Sequence, residues 1–167
     1  MKKYRLLIFS LLFLSGNIFA QKSIDKLLNK YNTKSVPYIS VTEVRMLQTQ
    51  NKALILDSRE EKEYKVSHIE NAENVGYDHF NIQEFEQKYP DKDTTVIVYC
   101  SVGIRSEDIG EKLQQAGYKN VKNVYGGIFK WKEKNFPVVD STQTETQNIH
   151  TFDKIWGKYL KKGKKVY

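Results

Sequence analysis

The feature that most limits what this chain can become is the run Thr94-Thr95-Val96-Ile97-Val98-Tyr99, which leads without a break into Cys100. Its density of β-branched residues predicts a buried strand. Ser101-Val102-Gly103-Ile104-Arg105-Ser106 follows, and the pattern over 104–116 predicts a helix closed by Gly117 just past its end. A buried strand feeding a tight loop and then a helix places that loop at the carboxyl end of a sheet. Open α/β sheets bind their ligands there.

The neighbouring segments repeat this alternation. Tyr38-Ile39 predicts a short entry strand, and Ser40 with Glu43 has the spacing of a capping box for a helix running through Val44 and Leu47 to about Thr49. Ala53-Leu54-Ile55-Leu56, ending in Asp57, is a continuous apolar run suited to a strand buried on both faces. A short helix over 60–66, a strand over 72–75, a helix over 80–89, a strand over 121–125 and a helix over 128–134 complete the series. The expectation is one α/β domain over 38–139 with a central parallel sheet flanked by helices. Two extensions flank it. Ile24, Leu27, Leu28 and Tyr31 form a helical stripe within 21–37. Residues 140–150 read as a polar linker. Phe152, Ile155, Trp156, Tyr159 and Leu160 give 151–167 the stripe of a basic amphipathic helix.

The first 20 residues carry a different message. Lys2, Lys3 and Arg5 precede the apolar run 6–14, and Ile18-Phe19-Ala20 precedes Gln21. That order is the anatomy of a secretory signal peptide cleaved after Ala20, and it predicts an exported, periplasmic or secreted protein. The net charge of +7 loses three cations with such a leader, so the remaining chain is only mildly basic. No nucleic-acid partner is expected. The aromatic stripe and Lys-rich end of 151–167 suggest at most a weak contact with an anionic membrane surface.

The chain has one cysteine. An exported protein ordinarily uses cysteines in pairs, so an intramolecular disulfide is excluded and the lone thiol is either buried and inert or used. Its surroundings favour use. The backbone N–H groups of 101–105 are expected to converge on the sulfur, and with the helix N-terminus they favour a thiolate. Gly103 permits the turn, and Arg105 adds a fixed charge with a planar fork suited to oxyanions. His79 and His150 have no partners at metal-ligand spacing, so neither a metal nor a cofactor is expected.

Leu56-Asp57-Ser58-Arg59-Glu60, Glu63-Tyr64, His68-Ile69, Ala72-Glu73-Asn74, the loop Cys100-Ser101-Val102-Gly103-Ile104-Arg105-Ser106, and Tyr125-Gly126-Gly127-Ile128 with Trp131 resemble, in order, the motifs of the rhodanese homology family. Pro137-Val138 resembles its usual end. Ser67, Glu70 and Asn71 depart from the Gly and Pro-Gly that the family often carries around His-Ile. The resemblance implies a single-domain, three-layer α/β sulfurtransferase. Cys100 would be its catalytic residue, with Ser101, Val102, Gly103, Ile104 and Arg105 as the substrate-binding cradle. Asp57, Arg59 and Ser106 would support it, the first two as an ion pair fixing the turn after their strand. Four residues between Cys100 and Arg105 match the sulfurtransferase loop that the family implies; related phosphatases and arsenate reductases have five. A Cys100 persulfide would carry sulfur from a small donor such as thiosulfate to a thiol or cyanide, with Arg105 on the donor's oxyanion end. The alternative partner is a protein acceptor, in a periplasmic sulfur relay. His68 is expected to serve a structural hydrogen bond.

Overall fold

The computed structural model describes residues 24–167, so the proposed leader lies outside the described residues. Helix α1 covers 24–31. Then follow β1 (Tyr38–Ile39), α2 (Val41–Thr49), β2 (Leu54–Asp57), α3 (Glu61–Val66), β3 (Glu73–Asn74), α4 (Ile82–Lys88), β4 (Thr95–Tyr99), α5 (Arg105–Gln115), β5 (Asn120–Val124) and α6 (Gly127–Glu133). The Ser40–Glu43 capping box is formed at the start of α2, which satisfies two backbone N–H groups that a helix start would otherwise leave open.

Strands β1 to β5 make one parallel sheet in the order β1-β5-β4-β2-β3. Strand alternation sends side chains to two apolar layers. Ile55, Ile97 and Tyr99 join Val44, Ile128, Phe129 and Trp131 on one face. Leu56, Val96 and Val98 join Phe85, Ile109 and Leu113 on the other. The fold is therefore the three-layer α/β arrangement expected from the sequence. The chain leaves β2 toward β3 on one side and leaves β4 toward β5 on the other. The crevice between the carboxyl ends of β2 and β4 is thus the switch point of the sheet. Asp57 and Cys100 stand at its two edges.

The C-terminal region differs from the sequence expectation. The supposed linker is an ordered hairpin: β6 (Val138–Val139) pairs antiparallel with β7 (Glu145–Thr146). Asp140 Oδ1 accepts from Thr142 N, Thr142 Oγ1 and Thr144 N, which closes the turn without any apolar residue. The supposed amphipathic helix over 151–167 shrinks to α7 (Lys154–Gly157). It is followed by β9 (Lys164–Val166), which pairs parallel with β8 (Asn148–His150). The apolar spacing was helical, but tertiary burial overrides it. Ile149 is wholly buried and Leu160 nearly so, both in the layer that holds Trp131. This strap also packs against α3.

If the strap is an integral layer of the fold, Ile149→Ala should lower the free energy of unfolding by about 2–5 kcal/mol, as for other buried aliphatic truncations. Urea denaturation followed by circular dichroism measures this. A change under about 0.5 kcal/mol would mean the strap is a loose tail.

Candidate active site

Cys100 follows the last residue of β4 and is almost wholly buried. Its sulfur accepts the Gly103 N–H at 3.2 Å and faces the Ser106 hydroxyl at 3.6 Å. The loop takes this shape because of what lies beneath it. Ile128 N donates to the Cys100 carbonyl at 2.9 Å, and Phe129 N donates to the Ser101 carbonyl at 3.2 Å. With the Cys100 and Ser101 carbonyls held by the start of α6, the loop turns the Gly103 N–H toward the sulfur. Of the N–H groups of 101–105 expected to converge there, it is the one in hydrogen-bond contact. Gly127 (φ +52) makes that approach possible: a Cβ there would lie 2.2 Å from the Cys100 carbonyl oxygen. Gly103 (φ +109) is constrained less tightly in space, with Val124 O 3.2 Å and Leu28 Cδ2 3.5 Å from the place a Cβ would take, but its backbone conformation also favours glycine.

A second layer of hydrogen bonds fixes the loop from behind. Asn123, fully buried on β5, donates to the Gly103 carbonyl at 2.9 Å and accepts from Ser106 Oγ at 2.8 Å. Asn32, just after α1, donates to the same carbonyl at 2.7 Å and to Glu107 Oε2 at 2.6 Å. Neither asparagine was among the residues singled out by sequence. A buried polar residue in a strand such as Asn-Val-Lys-Asn-Val was the available signal for Asn123. For Asn32 there was none.

Arg105 is already engaged by a carboxylate. Its two terminal nitrogens donate to the Glu63 carboxylate at 2.7 and 2.8 Å, and Nη2 also reaches Ser101 Oγ at 3.2 Å. The Glu63 side chain is fully buried. Burial would raise its pKa, but the Arg105 hydrogen bonds and charge, with Arg59 nearby, hold it below the ordinary carboxylate range. For Cys100, burial likewise opposes ionisation. Burial is the largest single influence, but the Arg105 charge, the Ser106 N–H and hydroxyl and the Gly103 N–H together outweigh it. The thiol pKa ends below its ordinary value.

The remaining predicted residues lie around this centre. Asp57 and Arg59 form a fully buried ion pair with bidentate hydrogen bonds, and Arg59 Nη2 also donates to the Ser67 carbonyl at 2.7 Å. They fix the turn after β2 and do not touch the sulfur. That turn is joined to β4 by Ser58 N, which donates to the Tyr99 carbonyl at 2.9 Å. His68 stacks on Tyr64 and its Nδ1 meets the Tyr64 carbonyl at 3.0 Å, away from Cys100.

Above the loop is a cavity of about 180 Å³. Cys100, Ser101, Val102, Ile104 and Arg105 line one side. Phe152 and Trp156 of the strap line the other. Of the loop residues expected to form the cradle, only Gly103 is absent from this lining; it supports the loop from within. Phe152 and Trp156 had been read as part of a helix stripe.

The rhodanese-like domain family matches residues 40–134. The chain belongs to the rhodanese-like domain family. It is 32% identical over 108 residues to the tRNA uridine(34) hydroxylase of Erwinia tasmaniensis, covering 60% of this chain and 31% of that protein. The Sodalis glossinidius protein of the same name is 34% identical over 100 residues, covering 58% and 28%. The chain thus spans about a third of the length of these curated relatives. Its fold is similar to the thiosulfate sulfurtransferase of Pseudomonas aeruginosa (TM-score 0.61, 22% identity, 75% of this chain and 23% of that one). It is also similar to a human single-domain sulfurtransferase (TM-score 0.52, 22% identity, 60% and 98%). Asn32, Phe152 and Trp156 all lie outside the region that matches the rhodanese-like family.

Two outcomes follow for the loop. Gly127→Ala should cost at least about 3 kcal/mol of stability, because the chain must move a backbone carbonyl or leave its left-handed conformation; thermal melting checks this. Alkylation of Cys100 by iodoacetamide should rise with pH to a plateau reached at lower pH than for a free thiol. In Arg105→Met the midpoint should move up, since the largest ionising influence is gone. An unmoved midpoint would remove Arg105 from the account.

Proposed function

We propose that this protein is a sulfurtransferase that carries sulfane sulfur on Cys100. The observation that carries the reading is the sulfur of a depressed-pKa cysteine held by a backbone N–H and a hydroxyl in a loop with four residues between Cys100 and Arg105. The thiolate attacks the outer sulfur of a donor such as thiosulfate; the new Sγ–S bond forms as the donor's S–S bond breaks and sulfite leaves with the electron pair. The persulfide then meets a thiol or cyanide, which takes the outer sulfur and returns Cys100 to the thiolate. The loop donors stabilise the anionic sulfur in both states, in the manner of an oxyanion hole. Gly103 allows the loop its turn, and Ser106 and Asn123 hold it in shape.

Arg105 acts in this reading through its charge. With both terminal nitrogens on Glu63, it lowers the thiol pKa and positions Ser101; it is not a free fork for the donor's oxyanion. The order of basic, apolar and small residues at the start of the chain supports an exported site of action.

The test is mass spectrometry after exposure to thiosulfate. One sulfur atom should be added at Cys100, removed again by cyanide and absent in Cys100→Ser. An unmodified thiol after prolonged exposure to thiosulfate and to inorganic polysulfide would remove the basis of the proposal.

A further inference from the structure

Phe152 is the anomaly of the strap. Among the described residues, six other than glycine have φ in the left-handed region, and five of them are Lys, Asn or Gln. The sixth is Phe152, at φ 66. A bulky aromatic residue resists this conformation, and it persists only where its surroundings impose it. The surroundings do so from both sides. Phe152 N donates to His150 Nδ1 at 3.0 Å, and Thr151 N donates to the Val166 carbonyl at 2.9 Å. Asp153 caps α7 through Ile155 N and Trp156 N.

The strain is not offset by burial in the core, because Phe152 is 48% exposed. What the conformation achieves is placement. The ring lies 5.5 Å from the Arg105 guanidinium carbon and lines the Cys100 cavity together with Trp156. Val102 and Ile104 supply apolar surface from the loop side.

The charge in this cavity is already used. Arg105 is paired with buried Glu63, and exposed Lys62, 5.9 Å from the Phe152 ring centre, is the nearby cation on the solvent side. An inorganic dianion would give up its hydration here for apolar walls and a guanidinium whose two terminal nitrogens already hold Glu63. An apolar group attached to sulfur would gain by burial.

We infer that Phe152 and Trp156 are specificity-determining residues that select apolar organic thiols and their persulfides as the sulfur-exchange partners of Cys100. This rests on the sulfur-transfer reading above. The step balances without a redox co-reactant. The thiol sulfur bonds to the outer sulfur of the Cys100 persulfide anion, and the Sγ–S bond breaks. Cys100 leaves as thiolate, and the thiol's proton ends on the new organic persulfide. The reverse reaction loads the enzyme from the same class of compound.

The experiment loads Cys100 with inorganic polysulfide. It then follows sulfur loss by rapid-quench mass spectrometry with phenylmethanethiol or with 2-sulfanylethanol, rates being expressed per thiolate. Wild type should favour phenylmethanethiol by about tenfold, the order expected for burying a ring of this size. Phe152→Ala and Trp156→Ala should each bring the ratio close to one, and Phe152→Leu should keep most of it. Ile155→Ala, exposed and outside the cavity, should leave the ratio unchanged. A wild-type ratio near one, or a ratio that survives both alanine variants, overturns the selectivity while sulfur transfer stands. Failure to load any sulfur on Cys100 overturns both.

Discussion

The whole site depends on one close approach: the first turn of α6 against the carbonyl of Cys100. Because Gly127 carries no Cβ, Ile128 N can reach that carbonyl at 2.9 Å and Phe129 N can reach the next. With the Cys100 and Ser101 carbonyls held below, the loop presents the Gly103 N–H to the sulfur above. The electrostatics at the sulfur therefore begin with a packing contact between the start of α6 and the loop after β4. The Gly126-Gly127 pair and the cysteine loop lie 26 residues apart in sequence when measured from Ser101 to Gly127, yet neither is explained without the other.

A second dependence runs through Arg105. Its guanidinium sits between two groups that both want its charge: the Cys100 thiolate and the Glu63 carboxylate. Glu63 is buried and its pKa is depressed, so it stays ionised and keeps the guanidinium in place. The fork geometry suits a carboxylate bidentately, and across that pair Arg105 acts on the sulfur through its field. The sequence alone favoured an oxyanion-binding role because the partner, 42 residues upstream, was read only as part of a Glu-Tyr pair. The turn after β2 uses the same device with Arg59 and Asp57, now as a purely structural pair. Two arginines of similar local setting thus take different roles according to what each carboxylate neighbour faces.

What was legible in the sequence followed from short-range rules. The β-branched run announced β4, the Ser40–Glu43 spacing announced the start of α2, and the loop from Cys100 to Arg105 announced the site. These signals depend on residues within a few positions of each other. The errors came where distant burial decides. Phe152, Ile155, Trp156, Tyr159 and Leu160 have helical spacing, yet they do not share one face. Leu160 goes to the core, Trp156 and Phe152 line the cavity, and Ile155 faces solvent. The polar stretch 140–147 looked like a linker because it lacks apolar residues, but Asp140 closes its turn with local hydrogen bonds that composition does not reveal. Asn32 and Asn123 were missed for a related reason: their value lies in a shared carbonyl, Gly103 O, visible only once the loop is folded.

The extensions on either side of the family-matched region converge on the same loop. From the N-terminal side, Leu28 packs against Gly103 and Asn32 holds its carbonyl, so that segment stiffens the loop from behind. From the C-terminal side, the strap reaches over the sulfur and walls the cavity. The division of labour has a physical logic. Support behind the loop must be polar, because it has to satisfy a buried carbonyl. A wall in front of the sulfur can be apolar, because the loop has already met its own hydrogen-bonding needs. An apolar wall lowers the local dielectric, which strengthens the field of the loop donors on an anionic sulfur. The same wall raises the cost of any charged donor that must shed water to reach it. In the proposed reaction, stabilising the persulfide and disfavouring inorganic anions relative to apolar sulfur compounds would be two consequences of one surface, and the left-handed Phe152 is where the fold bears the strain of making it.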